Sequence, residues 1–267
     1  MKPIETMNPE IIKNLRGFFF DIDDTFTTDG KIRPDAFSAL WDLHASGLKV
    51  VPITGRPAGW CDHMARMWPI DGIIGENGAF YFWYDDREKK LKKRFLDNDD
   101  VRAGKRQRLQ QVREKILAAV PGTAVASDQA YREADLAIDF REDVSPLGWN
   151  EIDRICAIFT ECGGTCKISS IHVNGWFGDY DKLQMTKIFV REQWGIDLDS
   201  EKDRYIFCGD SPNDEPMFRY FPNSAGVNTV RNYSHRMKFL PPFLTTGDGG
   251  SGFAELVSFI IRHKKEE

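Results

Sequence analysis

Short, continuously apolar runs alternate with amphipathic stretches along the first third of the chain. Residues 17–21 form such a run, of the kind buried on both faces of a parallel sheet. Residues 48–53 are a second run and 71–74 a third. After the first run comes a polar, glycine-containing loop at 27–31. Pro34 then opens a helix reaching about His44, which Gly47 stops. Pro57 opens a further helix, to about Met67. This β-α-β-α-β alternation predicts an α/β fold with a doubly wound parallel sheet and right-handed crossovers.

The rhythm changes after Asn77-Gly78. Residues 79–84 and 91–96 flank the charged run 85–90 and read as a hairpin with a solvated turn. A charged helix over about 103–119 stops at Pro121-Gly122. A strand at 136–140, a helix at 147–162 and a strand at 166–173 follow. The block predicts a small α+β domain inserted into the first. The original rhythm returns at Asp181, with a helix at 182–194, a strand at 205–208 and a short helix from about Asp214. Strands at 224–227 and 240–245 and a helix at 252–262 close the chain. The core is therefore expected over 1–80 and 178–267, and the insertion over 81–177.

Composition narrows the function classes. Hydrophobic residues make up 41% and charged residues 29%, a soluble globular balance. Thirty-six Lys and Arg face 41 Asp and Glu, a formal net charge of −5. That sign argues against a dedicated nucleic-acid binder, so an anionic substrate would need local cations or a metal. The basic run Lys89, Lys90, Lys92, Lys93, Arg94 reads as a solvated hairpin face. No apolar run approaches the roughly 20 residues of a membrane span. Residues 1–12 lack the apolar stretch of a signal peptide. The five cysteines include Cys162 and Cys166, but no second pair or nearby His completes a zinc site. Reduced thiols and a cytoplasmic location are expected.

Candidate chemistry gathers at strand ends. Asp21-Ile22-Asp23-Asp24-Thr25 follows the first apolar run directly. Ligands of open α/β sheets bind beyond the carboxyl ends of strands, and Asp21 and Asp23 can both face that crevice if the backbone stays extended. Crowded carboxylates must be neutralised, and a hard divalent cation suits them; an acidic turn capping a helix is the alternative. Ile53-Thr54-Gly55-Arg56-Pro57 offers a hydroxyl, a glycine permitting close approach and a helix N-terminus, which suit an oxyanion or serve as a plain Thr cap. Cys208-Gly209-Asp210-Ser211-Pro212-Asn213-Asp214 places two carboxylates and an amide in one loop, which also reads as a turn and helix cap. Lys182 stands at a helix start, where a lone Lys is usually solvated. Arg56 and Asn77 read as phosphate contacts or as a surface Arg and a turn Asn. His172, Asn174 and Trp176, where the insertion returns to the core, read as sugar-recognising or as hinge packing. Three of these motifs end buried strands and so converge on one crevice.

On these residues the chain resembles the haloacid dehalogenase-like phosphatase superfamily. Asp21-Ile22-Asp23-Asp24-Thr25 resembles its first motif, Thr54 its second, Lys182 its third, and Gly209-Asp210-Ser211-Pro212-Asn213-Asp214 its fourth. The insertion is similar to the α+β cap of type IIB, as is the approach to it, Gly75-Glu76-Asn77-Gly78-Ala79. The resemblance covers nearly the whole chain. It implies a Rossmann-like core, a cap, and magnesium-dependent hydrolysis of a small phosphorylated metabolite such as a sugar phosphate. It further implies Asp21 as nucleophile, Asp23 as general acid and base, and Thr54 and Lys182 on the phosphoryl oxygens. Mg²⁺ would be held by Asp21, Asp23 through its backbone carbonyl, Asp210 and Asp214, with Ser211 and Asn213 supporting. Substrate contacts are expected from Thr54, Gly55, Arg56, Asn77, His172, Trp176, Lys182 and Asn213. A phosphotransferase or phosphomutase on the same core is the alternative activity, and a non-catalytic phosphate-ligand binding protein the alternative from another class.

Overall fold

The computed structural model describes residues 1–265. Six parallel strands form the central sheet, in the spatial order Lys2–Pro3, Phe243–Leu244, Ala225–Gly226, Tyr205–Gly209, Gly17–Phe20, Lys49–Pro52. Gly17–Phe20 lies inside the sheet and all four of its residues are buried. Its side chains alternate between two apolar layers, as a period of two requires. Phe18 and Phe20 pack with Leu40, Leu43, Phe253 and Leu256, from the helices Pro34–Ala45 and Gly249–Lys265. Phe19 packs on the other face with Met185, Phe189 and Met217, from the helices Lys182–Trp194 and Glu215–Tyr220. The continuously apolar run is thus explained by burial on both sides.

Past the edge strand Lys49–Pro52, Ile53 bridges to Ile74 in parallel. Strand Ile73–Gly75 then pairs antiparallel with Phe80–Asp85, and that with Lys90–Phe95. The hairpin expected within the insertion therefore hangs on Ile73–Gly75. A separate antiparallel sheet has the order Thr165–Ile168, His172–Trp176, Leu136–Asp139, Ala124–Val125. The helices Asp99–Ala119 and Trp149–Glu161 cover one face of it, with Leu109, Ile116, Ile155 and Phe159 packed on Ile138 and Val173. Val173 points to these helices, so His172, Asn174 and Trp176 project from the opposite face.

The strand expected over 166–173 is two strands. Ser169 makes the turn between them: its N–H donates to the His172 carbonyl at 2.9 Å, and its hydroxyl oxygen accepts the His172 N–H at 3.0 Å. Where a loop was expected near residue 30, Thr27–Thr28 and Lys31–Ile32 pair as a short antiparallel hairpin. An unexpected helix, Pro9–Lys13, is capped by Asn8, whose side chain accepts the Glu10 N–H. Among the described residues no helix is long and apolar enough to cross a membrane.

Candidate active site

Register brings the motifs together. Phe20 stands opposite Cys208 on one side and Pro52 on the other. Asp21, Gly209-Asp210 and Ile53-Thr54 therefore leave the sheet side by side at its carboxyl edge. Asp21 extends the ladder by one bond, donating its N–H to the Cys208 carbonyl at 2.9 Å. The chain then folds back: the Ile22 carbonyl accepts the N–H groups of Phe26 and Thr27, and Asp24 adopts a left-handed φ of 54°.

Asp214 belongs to the short turn Pro212–Asp214 and forms a capping box with Ser211. Its Oδ2 accepts the N–H groups of Asp210 and Ser211, which aims Oδ1 at Lys182 Nζ, 2.7 Å away. Lys182 opens the helix Lys182–Trp194 behind the N-cap Asp181. It is only 1% exposed, and its ammonium also reaches Asp21 Oδ1 at 2.6 Å. Burial alone would lower the pKa of this ammonium, but Asp21 and Asp214 outweigh burial and hold it above its ordinary value. The lone Lys is thus compensated, not solvated. Gly78 locks the neighbouring turn onto this helix: at φ 110°, a Cβ there would stand 2.2 Å from the Asp181 carbonyl oxygen.

The carboxylates of Asp21, Asp210 and Asp214 each present an oxygen within 4.8 Å of the others. Thr25 donates to Asp210 Oδ1 at 3.2 Å, while Asp210 Oδ2 is buried without a hydrogen-bond partner. Three negative charges against the single ammonium of Lys182 leave two unbalanced, the charge of one divalent cation. An all-oxygen donor set with an orphaned carboxylate oxygen fits a hard divalent metal. Burial pushes the Asp21 and Asp210 carboxyls well above the usual range. For Asp21, Lys182 pulls down while Asp214 and Asp23 push up; for Asp210, the chief neighbours pushing up are Asp21 and Asp214. A cation would reverse that pressure.

The metal was expected on the backbone carbonyl of Asp23, and the Asp23 carboxylate lies outside this cluster. Arg56 grips it, with Nε at 2.9 and 3.0 Å from its two oxygens and Nη2 at 2.8 Å from Oδ1. Nor is Arg56 a surface residue: it is buried, stacks on Trp60 at 4.4 Å, and reaches Asp128 at 3.3 Å and Glu142 at 2.7 Å. One guanidinium thus joins the core motif to two acids of the insertion. Burial would raise the Glu142 carboxyl, but hydrogen bonds with His172 and Arg56 hold it down to about 2. His172 Nε2 lies 2.9 Å from Glu142 Oε2. No motif marked Asp128 or Glu142 in the sequence: neither stands at the end of an apolar strand of the core.

Thr54 is fully buried, and its hydroxyl oxygen accepts the Arg56 N–H at 3.0 Å while its carbonyl accepts the Asn77 N–H. The hydroxyl proton remains free to donate. At Gly55 a Cβ would come within 3.1 Å of Asn77 Nδ2, so the close approach is real. Asn77, at a left-handed φ of 54°, accepts from Asn213 Nδ2 at 3.4 Å, and its own Nδ2 is buried without a partner. Asp21, Asp23, Arg56, His172, Asn174 and Asn213, with Gly55 and Ser169, enclose a cavity of ≈ 10 Å³, room for about one water. Trp176 is a correction: it is fully buried, stacks on Tyr180 at 5.2 Å and does not line this cavity.

Glu76 is the residue that sequence reasoning undervalued. Fully buried, its carboxylate accepts the N–H groups of Ala58, Glu133, Ala134 and Asp135 at 2.6–3.1 Å. It therefore ties the start of helix Ala58–Met67 to a loop of the insertion. Arg132 in that loop donates to the Gly55 carbonyl at 2.8 Å and pairs with Asp128 and Asp135.

Over part of its length the chain also matches a known family. Residues 18–135 match the sequence profile of that family, described as haloacid dehalogenase-like hydrolase. No curated protein sequence matches significantly. Among solved structures, a protein from Thermoplasma acidophilum superposes with a TM-score of 0.67 at 18% identity, over 92% of this chain and 98% of that one. The sucrose-phosphatase of Synechocystis sp., solved with sucrose and phosphate, gives 0.61 at 13% identity, over 92% and 98%. A subclass IIB sugar phosphatase gives 0.59 at 17% identity, over 92% and 99%. At these identities the likeness is one of fold.

Proposed function

We propose that this chain is a magnesium-dependent phosphatase that hydrolyses a small phosphate monoester, a phosphorylated sugar, through an aspartyl phosphate on Asp21. One observation carries the reading. The buried Asp21 carboxylate sits at a parallel-strand end between Lys182 and an acid cluster two charges short of balance. A carboxylate so placed is an accessible nucleophile only for a substrate whose negative charge is screened, which is what phosphoryl transfer requires.

Asp21 would attack phosphorus in line as the bond to the leaving oxygen breaks. Asp23, two residues on, would give that oxygen its proton, and then take one from the water that cleaves the acyl phosphate, so that free phosphate and Asp21 are restored. Lys182 and the Thr54 hydroxyl would hold phosphoryl oxygens. Asp21, Asp210, Asp214 and the backbone carbonyl of Asp23 would hold the magnesium ion, which when bound neutralises phosphate charge and screens it from the acids. Arg56 holds the Asp23 carboxylate by two hydrogen bonds from its Nε. Substrate phosphate, as a competing anion, would draw Arg56 off and free Asp23 to carry a proton. The closed cavity implies that the Arg56–Glu142 contact parts when substrate enters.

We further propose the core as 1–80 and 178–267 and the cap as 81–177, with the cap setting substrate choice. A sugar is supported by the polar cap face, Glu142, Ser169, His172 and Asn174, and by the sugar-phosphate chemistry named for similar folds. A panel of phosphorylated metabolites, assayed for phosphate release with no added acceptor, tests the reading. Release should require Mg²⁺, cease in EDTA and be fastest on a sugar phosphate. Full activity in chelator, or transfer only to an added sugar, would overturn it.

A further inference from the structure

A second, wider concavity opens on the same face of the four-stranded sheet as the cavity that holds Asp21. This groove, of ≈ 740 Å³, is bounded by Lys167, Lys202, Arg219, Lys238, Tyr220 and Phe239. Register ties it to the active site. Lys167 stands opposite Asn174, so the two share a face of the four-stranded sheet. Asn174 faces the catalytic cavity from there, and Lys167 faces the groove. Below them a single loop serves both spaces: Asn213 lines the cavity, and Glu215 and Pro216 line the groove.

The charge of the groove is out of keeping with the chain. In a protein of net charge −5, four cations converge on one concavity. Among the described residues, none of the four is within ion-pair distance of a carboxylate. The two acids that do line it have backbone partners. Asp181 accepts the Gln184 N–H at 2.8 Å, and Glu215 Oε1 accepts the N–H groups of Lys238 and Phe239 at 2.6 and 2.8 Å. Arg219 lies 4.9 Å over the Phe239 ring and Lys202 lies 5.2 Å over the Tyr220 ring. Their heads rest on aromatic faces. Four cations against two acids leave the groove net positive, and a concave positive field concentrates anions.

We propose that this groove is the subsite for a second phosphate on the leaving-group side of the substrate, so that the preferred ester is a bisphosphorylated sugar. The proposal rests on the phosphatase reading of the neighbouring cavity and deepens it. Both cavities face the same side of the cap sheet, and a hexose chain is long enough to place its two ends in adjacent spaces.

The test compares a hexose bisphosphate with the matching hexose monophosphate, on wild type and on the triple variant Lys167→Ala, Arg219→Ala, Lys238→Ala. The variant should lose roughly tenfold or more in kcat/KM for the bisphosphate, chiefly through KM, and stay within about twofold on the monophosphate. Equal losses on both esters in a protein of unchanged Tm would overturn the proposal. So would an effect of free sulfate, at matched ionic strength, that vanishes in the variant while ester selectivity does not change; the groove would then hold a separate anion. The single variant Arg219→Ala, at an exposed position, should shift selectivity the same way if the triple variant folds poorly. Calorimetric titration of the bisphosphate into Asp21→Asn, with and without the three changes, reads the groove without turnover. A tenfold weaker affinity supports the subsite even if no ester is hydrolysed, a result that would count against the phosphatase reading alone. Equal affinity overturns the subsite.

Discussion

Asp21 and Asp23 are two residues apart and meet opposite fates. Asp21 points into the buried acid cluster beside Lys182, while Asp23 points across the cavity to Arg56. The difference sorts the roles, because a nucleophile needs a charged partner that keeps it ionised, and an acid-base group needs one that can leave. Asp23→Asn should lower kcat by roughly 10²–10⁴-fold, the cost of losing a proton donor, while leaving Mg²⁺ affinity nearly intact. An equal loss of metal affinity would put the Asp23 carboxylate itself among the ligands. At this scale the sequence was informative wherever residues fell in a strand-end motif: Asp21, Thr54, Asp210 and Asp214 lie together as their positions foretold. Asp128 and Glu142 were not legible, because their importance lies in a single shared partner, Arg56, more than seventy residues away in the chain.

At the scale of elements, the structure turns on how a short loop fastens the insertion to the core. Glu76, Asn77 and Gly78 all adopt left-handed φ values, 43°, 54° and 110°. Such a run costs free energy that the surroundings must offset. The four N–H groups on the Glu76 carboxylate and the seating of Gly78 against Asp181 supply that compensation. Glu76→Ala would strand these buried donors, and should cost about 3–5 kcal/mol in chemical unfolding. Loss of less than about 1 kcal/mol would mean water replaces the carboxylate. The regular elements were legible because apolar runs and Pro/Gly punctuation mark them; the helix Lys182–Trp194 begins and ends where the pattern says. The hairpin hidden in 166–173 was not. Two serines inside an apolar stretch look like strand residues until a side chain is seen to hold the turn. Trp176 failed for a related reason: its position in the sequence is right for a substrate contact, but a packed Tyr180 claims its ring.

At the scale of the whole molecule, the acids at its centre carry a charge imbalance. Burial and mutual repulsion hold the Asp21 and Asp210 carboxyls above their ordinary values. Groups raised in the folded state lend stability below their unfolded pKa and lose it as pH rises through the folded value. The metal-free protein should thus forfeit stability toward neutral pH, and Mg²⁺ should restore it there. At a concentration 100 times its Kd the ion contributes about 2.7 kcal/mol, or roughly 5–10 °C in Tm, at neutral pH. The gain should shrink as pH falls and protons take the place of the ion. A gain independent of pH would mean that the ion binds elsewhere.

The central claim is that phosphate passes through Asp21. The most direct test is to mix the Mg²⁺-loaded protein with radiolabelled sugar phosphate, quench in acid, reduce with borohydride, and locate the modified residue by mass spectrometry. An acyl phosphate on Asp21 would be read out as homoserine at that position, and Asp21→Asn should retain its fold but show neither label nor turnover. Label on another residue, or undiminished hydrolysis by Asp21→Asn, would contradict the account.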